Sequence, residues 1–440
     1  MPGGLRTDLY EINMAASYLR RGMDGSATFS LYVRDLPKER GFLVAAGLEA
    51  CLAFLESFSF AQDELAYLAE IGFDDRTLEA LASLRFDGEV WAVPEGAIVY
   101  AEEPLLEVTA PIPVAQLVET FLLNQVTLHT TVATKAARYV LAAQGRGLVD
   151  FAFRRTHGSD AAMAVARDSA IVGFTATSNV EAARRYGLVA AGTMAHAFVE
   201  AFPTEREAFE AFALDHPGRT TFLVDTYDSI GGVRAAIDTI QALGLEGAIG
   251  VRLDSGDLDH LAREARRVLD EAGLQRAQIF ASGGLDEHEV DELVRAGAPV
   301  DAFGVGTQMG VSADAPYVDS VYKLTEYDGR PVLKLSEKKA TSPGRKQVWR
   351  TRDGDLLALR DEEGPPGATP LLEPVMRDGR RVVAAPTLEA SRERFRDDLA
   401  LVPARARRLS HPEHVQVPRS DALLSLTQDT RDDVLRRATI

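Results

Sequence analysis

Residues 248–273 read AIGVRLDSGDLDHLAREARRVLDEAG and make up one strand-to-helix unit. Ala248 to Leu253 is mostly apolar, which predicts a buried strand of a parallel sheet. The residues after the loop 254–257 carry an apolar stripe at helical spacing that ends at Gly273, made of Leu258, Leu261, Ala265, Val268 and Leu269. Strand and helix patterns alternate in the same way from about Gly145 to Thr307.

Six further apolar runs in this region predict strands. They are Leu148–Phe153, Ala170–Phe174, Leu188–Gly192, Thr221–Val224, Gln278–Ala281 and Ala302–Gly304. A second clear helix stripe precedes Gly244 and consists of Val233, Ala236, Ile237, Ile240 and Leu243. Seven strands separated by helices favour an irregular α/β (TIM-like) barrel over an open sheet, although we locate no eighth strand.

The flanking segments differ from the barrel region. Near the N-terminus we predict helices over Asp8–Arg20 and Leu48–Ser57, then strands over Gly88–Val93 and Leu105–Thr109. Tyr322–Leu335 predicts a hairpin that turns at Asp328-Gly329, and an arginine-rich tail with alternating charge follows from about Glu389. We therefore expect a mixed α/β domain (1–125), the barrel (126–315), and a C-terminal segment (316–440) that returns to the first domain and ends in a helical tail.

Composition limits the function. The 440 residues carry a net charge of −18, which disfavours nucleic acid and anionic membranes as partners. The single cysteine, Cys51, excludes an intrachain disulfide and a thiolate metal cage. No apolar run approaches membrane-spanning length and the N-terminus lacks a signal-peptide pattern, so we expect a cytoplasmic protein.

Polar residues follow the predicted strands, where barrel enzymes place their reactive groups. Asp254 is suited to vicinal hydroxyls or a divalent cation, although an acidic residue in this loop equally serves as a helix cap, which we favour for Asp257. Glycine turns follow two successive late strands, and their small residues let backbone N–H groups approach a phosphate. These turns are Ser282-Gly283-Gly284 and Gly304-Val305-Gly306-Thr307.

Four further residues have both a functional and a structural interpretation. His196 follows a predicted strand and Asp225 ends the next, so the carboxylate would orient the imidazole as a base or nucleophile; a histidine satisfied within a loop is the alternative. Arg154 suits an anion, or is simply solvated at a loop. Tyr10 would cap a flat ring, or pack in a core. The eight histidines include no closely spaced pair typical of zinc sites.

Together these segments resemble the nicotinate phosphoribosyltransferase family over most of the chain. The motifs that carry the resemblance are Thr7-Asp8-Leu9-Tyr10, Phe153-Arg154-Arg155, Thr177-Ser178-Asn179-Val180, Gly192-Thr193-Met194-Ala195-His196, Val224-Asp225-Thr226-Tyr227-Asp228, Val251-Arg252-Leu253-Asp254-Ser255-Gly256-Asp257, Gly304-Val305-Gly306-Thr307 and Pro343-Gly344-Arg345-Lys346-Gln347. One segment departs from the family pattern: Thr156-His157-Gly158 stands where Ala-Gln-Gly is more usual.

The resemblance implies a type II phosphoribosyltransferase that joins nicotinate to 5-phosphoribosyl 1-pyrophosphate (PRPP), giving nicotinate mononucleotide and pyrophosphate in NAD salvage. It implies ATP as a co-substrate that phosphorylates His196, Mg²⁺ carried by pyrophosphate or ATP with no nameable protein ligands, and a homodimer. It also implies site roles: Tyr10, Arg154, Thr193 and Arg252 at nicotinate, Asp254 at the ribose, Gly283, Gly306 and Thr307 at the 5-phosphate, and Asp225 behind His196.

The resemblance also predicts a preference for the acid over the amide. Nicotinamide-using relatives carry an aspartate where Asn179 stands, and a carboxylate there would repel nicotinate. Two alternatives remain. One is transfer to a different aromatic acid or amide, suggested by Thr156-His157; the other is a catalytically silent barrel that binds a phosphorylated metabolite.

Overall fold

The computed structural model describes residues 3–335 and 341–438. The chain divides into two compact units, one made of Met1–Thr131 with Tyr317–Ile440 and the other of Val132–Pro316. The division falls within a single helix, α6. The domain limits expected at residues 125 and 315 stay predictions.

The second unit alternates strands and helices after the end of α6. Its elements are β6 Gly147–Asp150, α7 Ser159–Val172, β7 Ala176–Thr177, α8 Val180–Tyr186, α9 His196–Glu200, α10 Glu205–Asp215, β8 Arg219–Leu223, α11 Ser229–Leu243, β9 Ala248–Leu253, α12 Leu258–Glu271, β10 Gln278–Ala281, α13 Glu287–Arg295, β11 Ala302–Val305 and α14 Thr307–Gly310. A short 3₁₀ turn, Phe153–Arg155, follows β6.

The strands form one parallel sheet in the order β7-β6-β11-β10-β9-β8. The first strand of the unit, β6, pairs with the last, β11, with Asp150 opposite Val305. Beyond β7, a single parallel bridge joins Thr177 to Ala190. The order around the sheet is therefore cyclic, as in a barrel, and the predicted irregular α/β barrel is confirmed. The ring is open between Ala190 and β8.

Two predicted strands of this unit differ from the structure. Ala170–Phe174 is the end of α7, which stops at Gly173 with φ 118°. A short apolar run in a buried helix cannot be distinguished by periodicity from a buried strand. Leu188–Gly192 contributes only the bridge at Ala190. The other five strands and both helix stripes are present, and Gly244 ends α11 in the left-handed conformation, φ 58°.

Aromatic rings fill the interior beside the late strands. The rings of Phe151 and Phe280 lie 5.7 Å apart. A β-carbon on Gly304 would approach Phe151 to 2.6 Å and Phe280 to 2.7 Å, so this glycine makes room for both rings. Phe151 is thereby held at the edge of the site described below.

The first unit is the expected mixed α/β domain, built from both ends of the chain. Its N-terminal elements are α1 Leu9–Arg20, β1 Ser26–Val33, β2 Leu43–Val44, α2 Leu48–Ser57, α3 Gln62–Glu70, α4 Asp75–Ser83, β3 Glu89–Ala92, β4 Ile98–Val99, β5 Pro104–Pro111, α5 Ile112–Leu117 and α6 Glu119–Ala143, the last of which continues into the second unit. Its C-terminal elements are β12 Ser320–Tyr327, β13 Arg330–Pro331, β14 Lys346–Thr351, β15 Gly354–Leu359, β16 Thr369–Pro370, β17 Glu373–Arg377, β18 Arg380–Arg381, α15 Leu388–Leu401 and α16 Asp421–Ala438.

Its main sheet interleaves the two ends in the order β13-β12-β1-β5-β3-β17-β18, with antiparallel pairing. Phe29 of β1 stacks on Tyr322 of β12 at 4.7 Å, which ties the segments together in the core. The hairpin turn predicted at Asp328-Gly329 is confirmed, with both residues at positive φ between β12 and β13. None of the described helices has the length and hydropathy needed to cross a bilayer.

Candidate active site

The second unit contains a cavity of about 590 Å³ at the carboxyl ends of its strands. Its wall comes from the segments that follow β6, β7 and Ala190, from the end of β8, and from the end of β9 with the residue after it. The lining residues are Phe151, Phe153, Arg154, Ser178, Gly192, Thr193, Met194, Ala195, His196, Leu223, Arg252 and Asp254. Five predicted site residues are thus brought together: Arg154, Thr193, His196, Arg252 and Asp254.

Arg252 connects three segments of the cavity wall. Its Nη1 donates to Thr193 Oγ1 at 2.9 Å, its Nε to Ser282 Oγ at 2.9 Å, and its Nη2 to Asp254 Oδ1 at 2.8 Å. The guanidinium carbon also lies 5.6 Å from the ring centre of Phe151. The fixed fork of arginine suits this three-way contact, which lysine cannot reproduce.

Asp254 is held as a carboxylate by the same contacts. Burial raises its pKa, but the hydrogen bonds from Ser282 and Arg252 and the charge of Arg252 outweigh that effect, so the pKa of Asp254 is lower than usual. Its Oδ2 lies 3.8 Å from Nε2 of His196. The cavity therefore presents an ionised acceptor beside an imidazole at neutral pH.

The partner of His196 differs from the predicted one. His196 is the first residue of α9, and its Nδ1 lies 3.2 Å from Thr226 Oγ1. Asp225 makes no hydrogen bond to the ring: its Oδ2 accepts from the Asp254 N–H at 3.0 Å and from Ser255 Oγ at 2.7 Å. Because donors in the loop after β9 bind this carboxylate, the predicted hydrogen bond between His196 and Asp225 is wrong. Oδ1 of Asp225 is buried, and no described residue forms a hydrogen bond with it.

Arg154 supplies the uncommitted positive charge of the cavity. It lies in the 3₁₀ turn after β6 and forms no hydrogen bond or ion pair with any described residue. Phe153, its neighbour in the chain, is 44% exposed, and the ring of Phe151 lies against the guanidinium group of Arg252. A cation free to pair, in a cavity that two aromatic residues also line, suits a flat aromatic anion.

The two glycine turns follow the neighbouring strands β10 and β11. Gly283 has φ 109°, and a β-carbon there would lie 1.9 Å from the carbonyl oxygen of Asp254, so only glycine fits. Gly306 precedes α14, of which Thr307 is the first residue. These residues do not line the cavity itself, but the Gly283 backbone touches that of Asp254, which does.

Tyr10 belongs to the first unit, on α1, and is 48% exposed. Its hydroxyl donates to Glu11 Oε1 at 3.1 Å, and Thr120 Oγ1 donates to the same oxygen at 2.7 Å. Burial, followed by the charges of Glu119 and Glu11, raises the pKa of the Tyr10 phenol, which therefore stays neutral. Its place at the nicotinate ring stays a prediction.

Asn179 has a structural task. It is fully buried, its Oδ1 caps α8 by accepting from the Ala182 N–H at 3.1 Å, and it is absent from the cavity lining. Arg154, which does line the cavity, is therefore the better explanation for a preference for an acid.

Sequence reasoning missed the contribution of three residues to the site. Thr226 is the hydrogen-bond partner of His196, and the sequence signals were its place directly after Asp225 and its presence in the motif Val224-Asp225-Thr226-Tyr227-Asp228. Phe151 and Phe153 are two apart in a predicted strand, a spacing that puts both on one face. In the described ranges no group of three or more His, Cys, Asp and Glu side chains is arranged to hold a metal ion.

The fold is an α/β barrel, and its charged cavity lies where the strands end, which is the place of the active site in barrel enzymes. Comparison with known families is more specific. The N-terminal domain model of nicotinate phosphoribosyltransferase matches residues 5–127, the family's main model matches 147–356, and its C-terminal domain model matches 364–427. The chain belongs to the nicotinate phosphoribosyltransferase family.

Individual relatives agree with this result. A nicotinate phosphoribosyltransferase of Mycobacterium tuberculosis is 48% identical over 415 residues, which cover 92% of this chain and 89% of the relative. One from Bacillus subtilis is 42% identical over 376 residues, covering 82% and 76%. The crystal structure of human nicotinic acid phosphoribosyltransferase superposes with a TM-score of 0.86 at 30% identity, covering 96% of this chain and 99% of that one.

Proposed function

We propose that this protein transfers the 5-phosphoribosyl group of PRPP to nicotinate. The pyridine nitrogen attacks C1 of the ribose, the bond from C1 to the pyrophosphate oxygen breaks with its electron pair, and nicotinate mononucleotide and pyrophosphate are the products. The observation that carries the proposal is the cavity in which Arg154 is unpaired while Arg252 is bound to Thr193, Ser282 and Asp254.

The cavity residues and the two glycine turns divide between the two substrates. Arg154 pairs with the nicotinate carboxylate, and Arg252 and Thr193 hold the ring side of the pocket. Asp254 accepts from ribose hydroxyls, and its lowered pKa keeps it able to do so. The turns at Gly283 and at Gly306 and Thr307 bind the 5-phosphate through backbone and hydroxyl donors. Such positioning supplies most of the rate enhancement expected for an oxocarbenium-like transition state.

ATP coupling acts through His196. A ring nitrogen attacks the γ-phosphorus of ATP, the bond to the ADP oxygen breaks, and the phosphoryl group later passes to water. The imidazole is accessible, with 41% of its side chain exposed, and Thr226 and Asp254 flank its two nitrogens. Coupling of this kind draws the transfer toward product.

Magnesium enters with pyrophosphate or ATP, whose charge it neutralises. The residues present fit this role, because Asp225 Oδ1 is a buried acceptor without a hydrogen-bond partner among the described residues. Asp225 would hold the ion or one of its waters. This gives Asp225 a task that does not require contact with His196.

The test incubates the purified protein with PRPP and Mg²⁺, with either nicotinate or nicotinamide, and with or without ATP, and separates the mononucleotides by chromatography. We expect nicotinate mononucleotide, formed faster with ATP, and little product from nicotinamide. His196→Ala should lose the stimulation by ATP while retaining transfer. His260→Ala, at an exposed position of α12, is the matched control and should behave as wild type.

Other outcomes separate the alternatives. If product forms without stimulation by ATP, the transferase activity is supported and the phosphohistidine role of His196 is contradicted. Equal turnover of nicotinamide contradicts the acid preference. No product from either base, with PRPP still bound, indicates the silent barrel. The homodimer and the cytoplasmic location stay predictions, of which light scattering on the purified protein tests the first.

A further inference from the structure

A buried cluster of four charged side chains lies in the second unit, apart from the cavity lining. Lys135 and Arg138 of α6 both bind Glu287: Nζ of Lys135 lies 2.6 Å from Oε2, and Nε of Arg138 lies 2.6 Å from Oε1. Lys135 Nζ also lies 2.9 Å from Oδ1 of Asp314. The side chains of Lys135, Arg138 and Glu287 are 2%, 4% and 1% exposed.

This cluster connects α6 to the two segments that carry the glycine turns. Glu287 is the first residue of α13, three positions after Gly284. Asp314 follows α14, which begins at Thr307. Two successive helical turns of α6 therefore contact the segments that follow the two glycine turns.

Tyr139 adds a further contact to the first of these segments. Its hydroxyl donates to the carbonyl oxygen of Leu285 at 3.0 Å, one residue beyond Gly284. Lys135 Nζ lies 5.6 Å from the centre of the same tyrosine ring. The segment after β10 is thus fixed to α6 by both its backbone and its side chain.

Such a cluster is a costly way to gain stability. Removing four charges from water carries a large desolvation cost, and apolar residues of similar volume often hold buried segments together equally well. Opposite charges do add a defined position for each segment, because displacing either segment along α6 would separate the paired charges. The carboxylate of Glu287 is maintained despite its burial, because Lys135 and Arg138 keep its pKa lower than usual.

We propose that Lys135 and Glu287 are positioning residues for PRPP, setting the spacing between the Gly283 turn and the Gly306–Thr307 turn from behind. This inference rests on the proposed function, in which both turns bind the 5-phosphate. Donors from two separate segments bind one phosphate well only when both stand at hydrogen-bond distance. A small shift of either segment therefore weakens PRPP binding.

We expect changes in this cluster to leave the binding of nicotinate unaffected. The residues at the nicotinate end of the site come from other segments: Arg154 follows β6, Thr193 follows Ala190, and Arg252 lies on β9. None of the three forms a hydrogen bond or an ion pair with the four charged residues. A change at Glu287 should therefore act on one substrate. A role in stability alone would not separate the two substrates in this way.

The test compares Glu287→Gln and Lys135→Met with wild type in steady-state kinetics, each substrate being varied at saturation of the other. We expect the KM for PRPP to rise about tenfold or more and the KM for nicotinate to change less than about twofold. Lys135→Arg keeps the charge and should restore most of the PRPP affinity. Asp314→Asn, at the 14% exposed margin of the cluster, provides the same comparison if the central variants do not fold.

The first unit offers a matched control. Glu107 is also fully buried and also held by a lysine and an arginine, with Lys346 Nζ 3.1 Å from Oε1 and Arg360 bound to Oε2. Glu107→Gln should lower the melting temperature without a selective rise in the KM for PRPP. Equal rises in both KM values, or the same selective rise in Glu107→Gln, would overturn the proposal. A wild-type protein that forms no mononucleotide refutes the proposed function itself.

Discussion

Arg252 and Asp254, two residues apart at the end of β9, form an ion pair of 2.8 Å that faces the cavity. Side chains at positions i and i+2 of a strand share a face, so the sheet itself brings the two charges together. The pair leaves Arg252 locally neutralised and Arg154 as the charge available to a ligand. In the proposed function, binding of the anion and organisation of the pocket therefore fall to different arginines.

Arg252→Lys tests the organising role. Lysine keeps the charge but cannot reach Thr193, Ser282 and Asp254 together, so we expect the KM for nicotinate to rise about tenfold to 100-fold. Steady-state kinetics measure this. Arg266→Lys is the control, because Arg266 also binds three partners, Asp270, Leu274 and Ala277, away from the cavity. A KM shift of similar size in the control would contradict the assignment.

Thr226→Val tests the hydrogen bond to His196. Without the hydroxyl, Nδ1 loses its partner at 3.2 Å, and we expect the stimulation by ATP to fall about fivefold while ATP-independent transfer persists. Rates measured with and without ATP give the ratio. Thr220→Val, on strand β8 that precedes Thr226 and bonded to the His216 carbonyl, should leave the ratio unchanged. An unaltered ratio in Thr226→Val would exclude this contact from the coupling.

Gly283→Ala tests the close approach beneath the phosphate turn. The added β-carbon meets the Asp254 carbonyl, so we expect the free energy of unfolding to fall by more than about 2 kcal/mol and transfer to be lost. Gly297→Ala, also at positive φ but with open space around the β-carbon, isolates the backbone strain and should cost about 1 kcal/mol. Chemical denaturation compares the two, and equal losses would remove the steric argument.

Glu205→Gln tests a pH dependence of stability. Burial and the charges of Asp228 and Asp225 raise the pKa of Glu205 from 4.5 to about 7. Because the pKa is higher in the folded than in the unfolded protein, the protonated Glu205 side chain contributes fully to stability below the unfolded-state pKa of about 4.5. This contribution is lost as the pH rises through the folded-state pKa of about 7. The variant should therefore gain melting temperature relative to wild type at pH 8 but not at pH 5. A gain independent of pH would contradict the raised pKa.

The sequence predicts the elements of the barrel better than the contacts within the site. The stripe of α11 and its end at Gly244 follow from local periodicity and backbone freedom. Ala170–Phe174 was assigned wrongly because a buried helix end and a buried strand are equally apolar. His196 and Asp225 were placed in the same region, yet Ser255 and the Asp254 N–H capture that carboxylate. Competition among donors depends on loop conformation, which a residue pattern does not encode.

The open edge between Ala190 and β8 gives the ring of strands a seam. Within the described chain, no backbone hydrogen bond joins residues 192–196 to β8, and the His196–Thr226 contact is made by side chains. Phosphorylation of His196, as proposed, would therefore add its charge beside this open edge, where no backbone hydrogen bond of the sheet opposes a shift of residues 192–196. The paired strands from β7 through β11 to β9 would meanwhile keep the two glycine turns in register.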